Sequence, residues 1–126
     1  MLTQIRTDAA PPPAGPYSQG IVAGKMLFLA GQGPFDAKGE RVGKSFADQV
    51  RQTFKNLETV ARSAGTSLEH AVRYGVYLRN LDDFPEFNAI AGEFLTPPFP
   101  ARTTIEAALR GFDVEIDAVV LVPTAE

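Results

Sequence analysis

The chain has 126 residues, 44% hydrophobic and 21% charged, with twelve basic and fifteen acidic side chains and a net charge of −3. Those values describe one globular domain over residues 1–126, long enough to build a single core, and exclude a disordered or fibrous protein. The acidic balance gives no long-range attraction to nucleic acid or anionic membranes. With no cysteine, disulfides, thiolate catalysis, Cys-ligated zinc and iron–sulfur clusters are excluded as well.

The opening MLTQIRTDAA has no signal-peptide core, and no run reaches the roughly 18 apolar residues of a membrane span, so a cytoplasmic location is expected. Leu2–Thr7 alternates enough for a short edge strand. Asp8–Pro16 follows as a stiff connector, because Pro11, Pro12 and Pro13 favour extended geometry and cannot donate to a ladder. It is either a plain linker or a device that positions Gly15-Pro16-Tyr17-Ser18-Gln19-Gly20 near a site. Ser18–Val22 and Met26–Ala30 have hairpin spacing around Ala23-Gly24-Lys25, with Gly24 where a positive φ is cheap. Gly31-Gln32-Gly33-Pro34 ends the second run and is not a phosphate loop, since no GK[ST] or complete GxGxxG follows. Gly31, directly after a strand, leaves bare backbone open to close approach. Asp36–Gly39 reads as a surface turn.

Ser45–Ala64 is the clearest helix. Phe46, Val50, Phe54, Leu57 and Ala61 form one apolar stripe, Ser45 caps the start, and Gly65 sits where a left-handed terminating residue belongs. Ala71–Leu78 alternates strictly, with Val72, Tyr74, Val76 and Leu78 on one face and Arg73, Tyr77 and Arg79 on the other. A second helix follows, capped by Asn80 or Asp82, with Pro85 in its first turn and Phe84, Phe87, Ala91 and Phe94 inward; Pro97 and Pro98 stop it. The order β, β, β, α, β, α, β, β, with helical crossovers, predicts an α+β two-layer sandwich: a mixed six-stranded sheet with both helices on one face.

Few residues offer chemistry. His70 is the sole histidine and reads as a surface residue, so neither a metal site nor Ser-His catalysis is expected. Arg102 opens a strand over Arg102–Leu109, in which Arg102, Thr104 and Glu106 face opposite to Thr103, Ile105, Ala107 and Leu109. It is either a solvated or ion-paired strand arginine, or a charged planar fork for a substrate carboxylate. In the last strand Val114, Ile116, Ala118 and Val120 share a face. Glu115 and Asp117 share the other with Val119 and Leu121, a mixed surface that suggests coverage by another subunit.

Gly15-Pro16-Tyr17-Ser18-Gln19-Gly20, Ala30-Gly31-Gln32, Asn80-Leu81-Asp82-Asp83-Phe84, Asn88, Pro100-Ala101-Arg102-Thr103-Thr104 and Val114-Glu115-Ile116-Asp117-Ala118 occur in that order. As an ordered set they resemble the reactive intermediate deaminase family (Rid, YjgF or L-PSP type) over nearly the whole chain. The resemblance implies a homotrimer with a chorismate-mutase-like fold and ligand clefts between subunits. It also implies cofactor-free hydrolysis of 2-imino acids, or their enamine tautomers, to 2-oxo acids and ammonia. By position, Arg102 matches the arginine that binds the substrate carboxylate, and Glu115 the acidic residue that positions or activates water. Tyr17 matches the tyrosine lining the cleft, Gly31 and Thr104 match positions offering backbone hydrogen bonds, and Asn88 matches a helix asparagine without an assigned role.

Two departures stand out: Thr104 replaces the cysteine, and Ala30 the serine, of the archetypal deaminases; the loop before Pro100 is also shorter. They motivate an alternative, a non-enzymatic metabolite-binding protein using the same cleft. RNA cleavage, a third function attached to the family, is disfavoured by the acidic charge and the lack of a basic, aromatic strip. An imine carbon is already electrophilic, so orientation plus a carboxylate base suffices for the chemistry. A carboxylate beside an arginine is expected to have a lowered pKa and stay ionised. One geometric condition remains. In a plain hairpin turning at residues 110–113, Arg102 and Glu115 would lie about six residues apart, roughly 20 Å at about 3.3 Å per residue. They can share a site only if the last strand inserts elsewhere or the cleft combines chains.

Overall fold

The computed structural model describes residues 1–123. Six strands, β1 (Leu2–Ile5), β2 (Gly20–Ala23), β3 (Met26–Gln32), β4 (Ala71–Leu78), β5 (Ala101–Glu106) and β6 (Val114–Leu121), form one sheet in the order β1-β2-β3-β6-β4-β5. Two helices, α1 (Phe46–Ser63) and α2 (Phe84–Phe94), cover one face. This is the expected α+β sandwich with a mixed sheet. β4 and β5 run parallel, whereas β6 is antiparallel to both β3 and β4. β6 therefore makes no hairpin with β5 but inserts between the two strands that α1 connects.

Local chemistry explains the helices. The Ser45 hydroxyl accepts from the Asp48 N–H at 3.0 Å, and Gly65 takes the left-handed conformation after the C-terminal turn. Asn80, not Asp82, caps the short 3-10 turn ahead of α2 by accepting from Asp82 N–H at 2.9 Å. Beneath the helices, Val50, Phe54, Leu57, Val60 and Phe87 pack on Leu27, Val76, Leu78, Val114, Ile116 and Val120, all essentially inaccessible to solvent. Phe54 of α1 ties the two helices together, stacked on Phe94 at 4.9 Å and on Phe87 at 6.0 Å.

Among the described residues no helix or strand covers the opposite face of the sheet. Phe28, Leu121 and Ile105 lie exposed there beside half-buried Val119, Tyr77, Glu115 and Asp117. Val72, expected inward with Tyr74, is also exposed. The register slips between Ala71 and Arg73, so a bulge breaks the alternation of β4 at this residue. Ala107 and Leu109, expected in the strand of Arg102, lie beyond the end of β5.

Candidate active site

Arg102 and Glu115 sit on opposite faces of the sheet. Arg102 pairs in register with buried Tyr74, and Thr104 with Val76, which puts both on the helix-covered side. Glu115 pairs with Tyr77, on the open side. Tyr77 in turn faces Ile105, three residues beyond Arg102 on β5. Three residues along and two strands across amount to roughly 10 Å in each direction, with the side chains then diverging. Within one protomer the two groups cannot meet on a small molecule. The insertion of β6 removes the hairpin separation but not this one.

Arg102 is the centre of the first half. Its Nη1 donates to Asn88 Oδ1 at 2.7 Å and lies 3.5 Å from the Tyr74 hydroxyl. The guanidinium carbon stands 5.1 Å from the Phe84 ring centre, 5.9 Å from Phe87 and 6.0 Å from Tyr74, a cation held against aromatic faces. Among the described residues no carboxylate pairs with it. A planar cation fixed by neutral groups keeps its charge for an incoming anion. It opens onto a cavity of about 390 Å³ walled by Ala91, Gly92, Leu95, Phe99 and Pro100. Asn88 thus acquires the role the sequence left blank: it orients Arg102. Thr104 lies two residues further along the same face but outside this cavity. Its Oγ1 is shut from solvent and has no hydrogen-bond partner among the described residues.

Glu115 is the centre of the second half, where Gly31, Tyr17 and the proline segment surround it in a cavity of about 220 Å³. Between Leu29 and Gln32 the register with β6 slips, so Gly31 lies in a bulge. The close approach expected at Gly31 is made by the protein's own carboxylate, since a Cβ there would stand 2.7 Å from Glu115 Oε2. Gln19, only 3% exposed, accepts from Thr7 N–H at 2.8 Å and donates to the carbonyls of Thr7 at 3.0 Å and Pro11 at 2.8 Å. That clip holds the proline segment over Glu115, and the Tyr17 hydroxyl accepts from Ala14 N–H at 3.0 Å. The segment is therefore no plain linker.

Burial, and then the neighbouring Asp117, hold the Glu115 carboxyl above the ordinary glutamate range. The lowering expected from an adjacent arginine is absent in the protomer, because Arg102 is on the other face. Asp117 is itself fixed, accepting from Gly75 N–H at 3.1 Å and from the Tyr77 hydroxyl at 2.9 Å. Sequence reasoning noted that Asp117 shares a face with Glu115 but gave it no part. The aromatic cradle of Arg102 and the Gln19 clip were missed outright. A depression of about 590 Å³ on the outer face of α1 is a poorer candidate, since Arg51 and Arg62 on its rim are already paired with Glu93 and Glu58.

The sequence profile of the Endoribonuclease L-PSP family matches residues 7–122. The chain belongs to this family, the YjgF/Rid family. It is 42% identical over 123 residues to the RutC family protein y4sK of Sinorhizobium fredii, covering 95% of this chain and 98% of that one. A 2-iminobutanoate/2-iminopropanoate deaminase of Dermatophagoides farinae is 35% identical over 121 residues, 94% of each chain. Among solved structures, RidA from an Antarctic Psychrobacter superposes with a TM-score of 0.89 at 33% identity, covering 95% of this chain and 99% of that one. The family's members thus include named imino-acid deaminases, and the six-stranded sheet with two helices is their shared fold.

Proposed function

We propose that this protein hydrolyses 2-imino acids, or their enamine tautomers, to 2-oxo acids and ammonia without a cofactor. The clefts of this reading lie between the subunits of a homotrimer. The observation that carries it is the division of the site: a carboxylate-ready Arg102 on one sheet face and a strapped, half-buried Glu115 on the other. Each half is built with care by its neighbours, and neither is sufficient alone. A ring of copies joins Arg102 of one protomer to Glu115, Tyr17 and Gly31 of the next, as heterologous contacts in cyclic assemblies allow. The uncovered sheet face, apolar at Phe28 and Leu121, supplies a surface for such contacts.

In the cleft Arg102 grips the substrate carboxylate and Asn88 keeps the guanidinium in place. Glu115 takes a proton from water as its oxygen attacks the carbon of the protonated imine (C=NH2+), and the neutral carbinolamine that results carries both hydroxyl and amine. The proton on Glu115 then passes to nitrogen, the C–N bond breaks as the hydroxyl proton returns to Glu115 and the C=O bond forms, and the departing ammonia takes up that proton to leave as ammonium. Positioning and a single acid–base group account for such a step. The name deaminase on a relative 35% identical over 94% of the chain supports this chemistry. The family's description as an endoribonuclease finds less support, since a net charge of −3 offers little attraction to a phosphate backbone.

The test is complementation. Arg102→Ala and Glu115→Gln are each expected to lose hydrolysis of imines generated by an amino acid oxidase. Unfolded together and refolded as mixed rings, they should recover activity at about a quarter of the sites, those pairing an intact Arg102 with an intact Glu115. No recovery from two folded, trimeric variants would refute the shared cleft. Binding of 2-oxo acids by the wild type with no hydrolysis would favour the metabolite-binding alternative.

A further inference from the structure

We propose that the cavity beside Arg102 is a side-chain pocket for bulky apolar 2-imino acids, of leucine or phenylalanine size, and that Gly92 keeps it open. The inference rests on the reading of Arg102 as carboxylate anchor and adds the substrate class. The buried residues of α2 are Phe87, Ile90 and Ala91, with Phe94 half-buried and Phe84 exposed, and beside these large side chains Ala91 and Gly92 are two of the smallest residues available. Both line the cavity. Asn88 and Gly92 are one helical turn apart on the same strip of α2. A ligand whose carboxylate meets Arg102 next to Asn88 therefore lies within a turn of Gly92, and an α-substituent directed along α2 enters the space beside it.

Nothing in the fold calls for glycine at 92. Its φ is not in the left-handed region, and a Cβ there would meet no heavy atom within 4 Å. A helix interior disfavours glycine relative to alanine. What glycine provides is space. At about 390 Å³ the cavity corresponds to about a dozen waters at roughly 30 Å³ each. The single methyl of 2-iminopropanoate would leave most of it unfilled. Its walls are Leu95, Phe99 and Pro100, with Phe99 64% exposed, so the surface away from Arg102 is lined by apolar side chains and unpartnered in the protomer. A cation at one end and apolar walls beyond it are the requirements of an amphipathic acid with a large hydrocarbon side chain.

The experiment compares kcat/KM for imines made by L-amino acid oxidase from leucine, phenylalanine and alanine, using the full-length wild type, Gly92→Leu, Gly92→Ala and Arg102→Ala. The wild type should favour the leucine- and phenylalanine-derived imines. Gly92→Leu should lower their ratio to the alanine-derived imine about tenfold or more, since each methylene excluded from an apolar pocket is worth at least that. Gly92→Ala, which a helix accepts readily, should shift the ratio the same way by less. Calorimetry with phenylpyruvate and pyruvate should give the same order without turnover. A wild type that favours the alanine-derived imine, or ratios within about twofold of wild type in both Gly92 variants, overturns the pocket. If Arg102→Ala meanwhile abolishes hydrolysis, only the pocket falls. Wild-type rates in Arg102→Ala would overturn the anchor reading and the pocket with it.

Discussion

Gly31→Ala separates the position of the Glu115 carboxylate from the stability of the fold. The added Cβ would lie 2.7 Å from Glu115 Oε2, 3.1 Å from its Cδ and 3.3 Å from its Cγ. Ordinary contact begins at 3.4 Å, so the oxygen must withdraw by about 0.7 Å, and the two carbons behind it must shift as well. The obstructed group is the end of a flexible side chain, so the backbone need not move. Gly31 has no positive φ to lose, and alanine reduces the entropy of the unfolded chain by about 0.4–1 kcal/mol. Stability should therefore stay within about 1 kcal/mol of wild type. Catalysis should not. A misplacement approaching 1 Å costs on the order of 100-fold in rate, equivalent to about 2.7 kcal/mol of barrier at about 1.36 kcal/mol per tenfold. The assay pairs kcat for an oxidase-generated imine with a thermal melt. A folded Gly31→Ala whose kcat is within about threefold of wild type would refute the reasoning that Glu115 must occupy the space above Gly31.

Asn88→Asp places a carboxylate where Asn88 Oδ1 now accepts from Arg102 at 2.7 Å. It should compete with the substrate and raise KM by about tenfold or more, against a smaller effect for Asn88→Ala, because the new carboxylate would occupy the guanidinium fork as an ion pair and offset the charge left for the substrate carboxylate. Asp117→Asn removes the negative charge that, after burial, holds the Glu115 carboxyl up. The pKa should fall, so the acid limb of kcat/KM, where the base becomes protonated, should move to lower pH; an unmoved limb would show that Asp117 does not act on Glu115. For stability the sign is opposite to that of a salt-bridged acid. Because the folded carboxyl binds its proton more tightly than the unfolded one, this group's contribution falls as pH rises from the ordinary range through the folded pKa. Glu115→Gln should accordingly raise the melting temperature of the protomer at neutral pH, with the advantage fading in acid. Phe54→Ala removes the ring stacked at 4.9 Å on Phe94, 1% exposed, and should cost about 3–5 kcal/mol in urea unfolding.

Periodicity located both helices because each has one buried stripe and a clear stop. It found the strands but could not say which side of β5 faces the helices, since neither side is apolar: Arg102 and Thr104 lie inward while Ile105 is exposed. Alternation also fails wherever the register slips, which exposes Val72 and puts Gly31 in a bulge. Sheet order was beyond local pattern altogether. The helical crossovers implied a mixed sheet, but the insertion of β6 between β3 and β4 depends on long-range pairing. That insertion decides the environment of Glu115 in the protomer, where no arginine stands beside it and burial raises its pKa. The resemblance named candidate site residues, and the structure divides them into two groups, Arg102 with Asn88 and Glu115 with Tyr17 and Gly31.

The division explains features that a one-chain site would not. A half-buried carboxylate with its pKa raised by burial and by Asp117 is a poor resident of an isolated protomer, because nothing there compensates its charge. An arginine cradled by Phe84, Phe87, Tyr74 and Asn88 likewise has no anionic partner among the described residues. Each half carries the charge that the other lacks. Joining them across a contact between copies would offset the cost of holding Glu115 out of water and lower its pKa toward the value a base requires at neutral pH. The same contact would cover Phe28 and Leu121. Under the proposed reading, assembly would then tune the Glu115 carboxylate as well as complete the cleft.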